Sequence, residues 1–290
     1  MRFLISHETI YAYANPASES VGELRICPVD TKFQKIQNRK LILEPDIPVE
    51  SYQDYFGNTV ECFAVPFRHK QLRVRMEAEV TTIPRPAPAS IAEIPFGQAR
   101  RLSRNARISL YLYRLPTPAV PLGVAPAELG KRFFRESKPL RDCLLDLNSW
   151  IYNEFEYCPG VTDVSTPLET IIQDSRGVCQ DFAHLMLSIL RTNGLVARYV
   201  SGYIEPTDPT IQDGAELIGA AASHAWVEVH LADGTWWGLD PTNNQSVGER
   251  HVKISVGRDY HDVAPLRGSY KGATSQKLQV IVSMQRTGRS

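Results

Sequence analysis

The hydrophobic period of this chain changes partway along it, and that change limits the folds open to it. From Arg2 to about Ile83 the sequence is written in short β-prone runs between turn signals: RFLISHETIYAY, KLILEP, a turn at Tyr55-Phe56-Gly57-Asn58, TVECFAVPF and QLRVRMEAEVTTI. Leu72, Val74, Met76, Ala78 and Val80 fall on alternate positions, the pattern of a strand buried on one face. An antiparallel β-sandwich is the simplest packing of such runs. Eight of the 20 prolines lie between Pro84 and Pro126 and remove backbone donors too often for continuous helix or sheet, so this stretch is expected to wrap the surface. Beyond it, Leu140, Leu144, Leu147, Ile151 and Phe155 recur at intervals of 4, 3, 4 and 4, the stripe of an amphipathic helix. Thr166-Pro167-Leu168-Glu169 predicts a second helix start, with Thr166 as cap and Glu169 closing a capping box. A third helix and the strands ARYVSGYI, HAWVEVHL and TWWGLD follow. The expected class is α+β. Residues 1–85 form a β-rich N-terminal domain, 86–127 a proline-rich connector, and 128–290 a core with helices packed on an antiparallel sheet.

Charge narrows the function classes. With 32 Lys+Arg against 32 Asp+Glu the chain generates no long-range field, so neither nucleic acid nor an anionic membrane surface is an expected partner. No stretch approaches the roughly 20 apolar residues that span a bilayer, and the opening MRFLISHETIYAY breaks its apolar run too early for a signal peptide, which suggests the cytoplasm. Cys27, Cys62, Cys143, Cys158 and Cys179 are odd in number and form no CxxC pair. They fit neither a disulfide framework nor a zinc ribbon.

Cys179 differs from the other four. In Gly177-Val178-Cys179-Gln180-Asp181-Phe182-Ala183-His184, a helical projection places Cys179 in the first turn, within an arc completed by Phe182, Ala183, Met186, Leu187 and Leu190. A helix N-terminus carries unpaired N–H groups and partial positive charge, both of which favour a thiolate. A buried cysteine is ordinarily a small core residue, and Cys27, Cys62, Cys143 and Cys158 keep that reading. For Cys179 a base decides. His184 points about 140° away on the same helix and is read as a surface or inter-helix histidine.

His224 is the better partner. In His224-Ala225-Trp226-Val227-Glu228-Val229-His230-Leu231 the alternation puts His224, Trp226, Glu228 and His230 on one face. Ala232-Asp233-Gly234 then turns the chain into Thr235-Trp236-Trp237-Gly238-Leu239-Asp240. A two-residue turn would put Asp240 on the wrong face. A three-residue turn with Gly234 left-handed sets Trp226 opposite Asp240, and a diagonal His224–Asp240 hydrogen bond can then close. That form is the one expected. A free thiol of pKa about 8.5 is only a few per cent ionised at pH 7, pairing with an imidazolium lowers that value, and an aspartate fixes the ring's tautomer and charge.

The segment around Cys179, together with Ala197-Arg198-Tyr199-Val200-Ser201-Gly202-Tyr203, His224 to Val229, and Leu239-Asp240-Pro241-Thr242-Asn243, resembles the transglutaminase-like superfamily, specifically its bacterial members. His7-Glu8-Thr9, Leu24-Arg25, Phe56-Gly57-Asn58 and Gly257 to Leu266 resemble the flanking regions of those proteins. The resemblance implies a papain-like core behind a β-sandwich, with Cys179 as nucleophile, His224 as base and then acid, and Asp240 as orienter. It also implies an oxyanion site at the Cys179 backbone N–H, with Tyr157 as helper. Trp226 is expected at the oxyanion or substrate site. By the same resemblance the partners are a peptide or protein substrate and, in one version, an amine acceptor.

Other features are weighed against plainer readings. Glu205 to Ser223 is a long insert beside His224 and is either a substrate-gating flap or a passive loop. Of Trp226, Trp236 and Trp237, two are expected to pack and one to border the cleft. Asp181 and Arg198 are expected to pair structurally. Cys179, His224 and Asp240 could in principle hold a metal, but no second cysteine has zinc spacing and no acidic loop suits calcium, so neither cofactor nor metal is expected. The expected activity is acyl transfer at amide bonds through a Cys179 thioester, chiefly peptide or isopeptide hydrolysis. Transfer to an amine, as in a transglutaminase, is the alternative, and a non-catalytic peptide-binding module is the second.

Overall fold

The computed structural model describes residues 1–88, 91, 93–104, 108–205 and 223–288. The chain begins with β1 (Arg2–Ala17), β2 (Glu19–Leu24), β3 (Gln34–Glu44), β4 (Val49–Gln53), β5 (Thr59–Val65) and β6 (His69–Thr82). Helix α1 (Phe96–Arg104), a 3-10 helix (Ile108–Arg114), α2 (Val124–Lys131) and α3 (Leu140–Glu154) follow. Next come β7 (Glu156–Tyr157), α4 (Leu168–Asp174), β8 (Arg176–Gly177) and α5 (Cys179–Thr192). The remainder is β9 (Ala197–Ile204), β10 (His224–His230), β11 (Trp236–Asp240), β12 (Gln245–Ser246), β13 (His251–Gly257), α6 (Tyr260–Val263), β14 (Leu266–Lys271) and β15 (Gln276–Gly288). No helix among the described residues is long and apolar enough to cross a membrane.

Two four-stranded sheets, ordered β15-β1-β6-β3 and β14-β2-β5-β4, close the sandwich. The alternation of β6 survives folding: Leu72, Val74, Met76, Ala78 and Val80 are buried against Phe3, Ile5, Phe63 and Val65. A one-residue slip would expose Leu72, Val74, Met76 and Val80 at roughly 1.5–3 kcal/mol each, so this face fixes the register. The sandwich includes β14 and β15, which pair with β2 and β1. The expected division at residue 128 is therefore corrected: the chain returns to its N-terminal sheets after β13, because β1 and β2 each leave an edge that only these last strands fill.

The core sheet is antiparallel throughout, in the order β12-β11-β10-β9-β13. Helix α5 lies on β9 and β10 with Cys179, Phe182, Ala183, Met186 and Leu190 inside the cluster shared with α3 and α4. Its polar arc is buried too. Ser188 donates to the Pro121 carbonyl at 2.5 Å, and Arg191 donates to the carbonyls of Leu115, Ala197 and Arg258. The proline-rich stretch is thus more than a wrapping: α1 and the 3-10 helix fall within it, and Ile91, Phe96, Ala99 and Val120 join the core. Thr166 does not cap α4, which starts after Pro167; its hydroxyl instead accepts from the Asp163 backbone N–H at 3.0 Å.

Strand β13 is the edge of the core sheet, and the sandwich covers it. The Gln34 side chain accepts from the Lys253 N–H and donates to the Lys253 carbonyl, both at 2.8 Å. The Asn58 side chain does the same for Val256 at 2.8 Å. Two side-chain amides thus stand in for a neighbouring strand, which satisfies an edge that would otherwise invite pairing. Tyr203, Val252 and Ile254 point the other way, into the sandwich core.

Candidate active site

The thiol is positioned by a short crossing of chain. Parallel pairing of β7 with β8 sets Tyr157 against Gly177, and the Cys158 N–H donates to the Gly177 carbonyl at 2.9 Å. Val178 is the extended N-cap of α5, so Cys179 opens the first turn. Asp181, three residues on, accepts from the Val178 N–H at 2.9 Å and from the Thr162 hydroxyl at 2.7 Å. Gly177 is small for a reason: a Cβ there would lie 2.8 Å from Asp181 Oδ2 and 2.9 Å from its Cβ. Cys179 keeps 8% of its surface exposed.

The opposite wall comes from the hairpin β10–β11. Gly234 has φ +83°, the Leu231 N–H donates to the Thr235 carbonyl at 2.8 Å, and Val227 pairs with Leu239. This is the three-residue turn expected from the sequence, and it brings the wholly buried His224 and Asp240 together, with His224 Nε2 2.8 Å from Asp240 Oδ2. Because Nε2 is engaged, Nδ1 is the nitrogen left for the thiol. That atom is buried without a hydrogen-bond partner of its own.

Asp240 is held by more groups than the sequence suggested. His251 Nε2 lies 3.2 Å from Oδ2, and Asn243 Nδ2 donates to the same oxygen at 2.8 Å. Oδ1 accepts from the backbone N–H groups of Thr242 at 3.0 Å and Asn243 at 3.3 Å. The Gly248 N–H donates to His251 Nδ1 at 3.3 Å, so the proton of a neutral His251 sits on Nε2 and points at Asp240. His251 and Asn243 were missed. The Asx turn implicit in Asp240-Pro241-Thr242-Asn243 could have flagged the second; His251 looks like any strand residue until β13 is placed.

Electrostatics follow from these contacts. Burial opposes a charged His224, but the Asp240 carboxylate, its hydrogen bond and Cys179 outweigh it and raise the ring's pKa to about 10. Burial likewise opposes a charged Asp240, yet His224 and the two imidazole hydrogen bonds hold it well below the usual carboxylate range. His251 is driven the other way, lowered chiefly by burial. The site therefore favours one imidazolium, on His224, and one neutral imidazole. Tyr157 is pushed up to about 12 by burial and then by Cys179 and Asp181, so its phenol keeps its proton.

Two expectations change. Trp226 is fully buried and cannot border a cleft; its ring packs against those of both His224 and His251, with centroids 6.2 and 5.4 Å away. Gly202 makes room for it, since a Cβ there would lie 2.2 Å from Trp226 Cη2 and 2.3 Å from the Val252 carbonyl oxygen. Asp181 and Arg198 do not pair: Asp181 caps α5, and Arg198 binds Glu228. His184 is buried, its Nε2 accepting the Tyr260 N–H at 3.1 Å. The insert over 205–223, read as either a flap or a passive loop, lies, but for its two ends, outside the described residues. Its first residue, Glu205, is pinned by Arg250 and Arg286.

The donor atoms of His224, Asp240 and His251 lie within 4.8 Å of one another, a spacing a metal could use. The protons argue otherwise. Asp240 Oδ2 already takes three N–H donors and the His251 tautomer is set by Gly248, so an ion would have to displace a complete hydrogen-bond set.

Comparison with known proteins places the chain in a family. The family model described as "Transglutaminase-like superfamily" matches residues 127–241, and "Bacterial transglutaminase-like N-terminal region" matches residues 3–81. The chain belongs to the transglutaminase-like superfamily. Among its relatives, an uncharacterized protein of Mycobacterium leprae is 33% identical over 98% of this chain and 99% of its own length. Another, from Mycobacterium tuberculosis, is 34% identical over 98% of this chain and 92% of its own. A solved structure, titled as a "Putative Cysteine Protease" from Cytophaga hutchinsonii, covers 100% of this chain and 92% of that one with TM-score 0.76 and 23% identity. Transglutaminase-like core and bacterial N-terminal region thus share one fold here.

Proposed function

We propose that this chain is a cysteine-dependent enzyme that cleaves amide bonds of peptides or proteins through a thioester on Cys179. The observation that carries this reading is the buried His224–Asp240 pair whose remaining ring nitrogen is left for a thiol at the start of α5. The Cys179 sulfur attacks the carbonyl carbon, and the oxyanion is met by the Cys179 N–H and the Tyr157 hydroxyl. As the tetrahedral species collapses, the C–N bond breaks and the proton on His224 Nδ1 passes to the departing amine. Cys179 is one of the groups that raise the His224 pKa, so forming the S–C bond removes that support and makes the ring a better acid when the leaving group needs a proton. Water then attacks the thioester, His224 takes its proton, and the carboxylic acid leaves with the thiol restored. An amine in place of water would give transamidation, with every earlier step the same.

The test is mass spectrometry of a peptide library incubated with wild type and with Cys179→Ala, with and without excess primary amine. Hydrolysis predicts new termini or deamidation from the wild type alone, unaffected by amine. Amine incorporation would assign transfer instead, and identical spectra from the two proteins would remove the enzymatic reading in favour of a binding module.

A further inference from the structure

On the face of the core sheet away from α5, strands β9, β10 and β13 carry a second cluster of charge that the reaction above does not use. Glu228 is buried, and both its oxygens are taken: Arg198 donates to Oε2 from Nε at 2.9 Å and from Nη2 at 2.6 Å, and Lys253 pairs with Oε1. Arg85 enters from the end of β6. Its Nη2 donates to the His251 carbonyl at 3.2 Å and to Gln34 Oε1 at 3.4 Å, and its guanidinium lies over the Phe33 ring at 5.6 Å. Arg85 Nε is buried without a hydrogen-bond partner, and the guanidinium makes no ion pair among the described residues.

These groups line a cavity of about 700 Å³, with Lys32 and Trp236 also on its wall. Four cations, Lys32, Arg85, Arg198 and Lys253, share it with two carboxylates, Glu228 and Asp233. Asp233 accepts from the backbone N–H and hydroxyl of Thr235, at the hairpin. Burial, with Arg198 and Arg85 adding to it, lowers Lys253 to about 8 even though it touches Glu228. Cations held together in a half-buried space are stabilised by a counter-anion. The volume falls in the range of small-molecule sites. Glu228 is four residues from His224 along β10, about 13 Å at strand rise, so the cavity is separate from the thiol.

We propose that this cavity binds a small anionic ligand, with a phosphate or carboxylate group between Arg85 and Lys253 and an apolar body against Phe33 and Trp236. The chemistry is a bidentate guanidinium contact plus an ammonium, the usual solution for an oxyanion, with aromatic walls for the remainder.

The probes are phenyl phosphate, benzoate and neutral benzyl alcohol, titrated into the full chain. The indole N–H resonances of Trp150, Trp226, Trp236 and Trp237 are followed by NMR and assigned by Trp→Phe substitution. One or both anions should shift Trp236 saturably and leave Trp150 in place, and the tighter of the two identifies the head group. Benzyl alcohol should not shift it. Arg85→Gln and Lys253→Gln should each weaken binding about tenfold or more. Thermal unfolding checks that each variant is folded, and Arg85→Gln alone decides if Lys253→Gln is not. The proposal is overturned if neither anion gives a saturable shift, if benzyl alcohol binds equally, or if folded variants bind as tightly as wild type. No turnover is read, so the outcome is independent of the proposed activity.

Discussion

Replacing Asp240 with asparagine tests the site most severely, because the change removes one charge and almost no volume. Asp240 accepts three N–H groups on Oδ2 and two on Oδ1. An amide has one acceptor oxygen, so either orientation turns an NH2 toward donors. The milder orientation keeps the side-chain trio and loses the two backbone bonds. At about 1.5–3 kcal/mol for each bond to a charged group, Asp240→Asn should cost about 3–6 kcal/mol, overlapping the roughly 3–5 kcal/mol found when one partner of a buried ion pair is removed. The cost should depend on pH in a defined way. His224 has its folded pKa raised from 6.5 to about 10, so its share of wild-type stability is complete below about 6.5 and is lost as pH rises toward 10. Asp240 is depressed below 3.8, so its share is complete above that value and is lost as pH falls beneath it. Urea unfolding followed by tryptophan fluorescence should therefore show the largest gap between the two proteins at pH 5 to 6 and a shrinking gap toward pH 10. A gap under about 1 kcal/mol at pH 6, or one that grows between pH 6.5 and 10, would refute the reasoning about how Asp240 is held.

Other perturbations reach neighbouring groups. Iodoacetamide at pH 7 should label Cys179 faster than the other four cysteines, all of which are shifted upward by desolvation, and His224→Ala should slow that labelling; equal rates at all five would count against a thiolate at Cys179. Gly202→Ala places a methyl group against Trp226 and the Val252 carbonyl, so it should destabilise by about 2–3 kcal/mol and slow labelling by tilting His224, measured by urea midpoint and alkylation rate. His251→Phe should lower the pH at which the His224-dependent labelling rate changes, whereas His251→Gln, which can still donate to Asp240, should restore part of it; identical pH profiles would make His251 merely structural. Tyr157→Phe should reduce turnover about a hundredfold with KM little changed if its hydroxyl meets the oxyanion.

How far the sequence reached depended on the range of the contacts involved. The alternation in β6, the stripe of α3 and the turn at Gly234 are local patterns, and each is found where it was read. The juxtaposition of His224 and Asp240 was legible because turn length converts directly into strand register. What was not legible is set by distant packing. Arg198 was matched with Asp181 by residue type, but β10 offers it Glu228 directly across the strand pair. Trp226 was expected at the oxyanion or substrate site; the glycine on β9 opposite His224, two residues away on the neighbouring strand, makes room to bury it. His251 and Lys253 acquire meaning once Gln34 and Asn58, more than 190 residues earlier, are seen to hold β13 in place.

Strand β1 lies between β6 and β15, the first following early in the chain and the second at residues 276–288. During translation β1 and β6 leave the ribosome together, while β15 emerges after every helix and every strand of the core. For most of synthesis the nascent sandwich thus offers a 16-residue strand with one bare edge, the kind of surface chaperones and proteases engage. A product that stops short of β15 keeps that edge however well its thiol and histidine are placed. Pairing with β15 is what covers that second edge, so a chain cut before Gln276 should expose β1 to pairing with other strands.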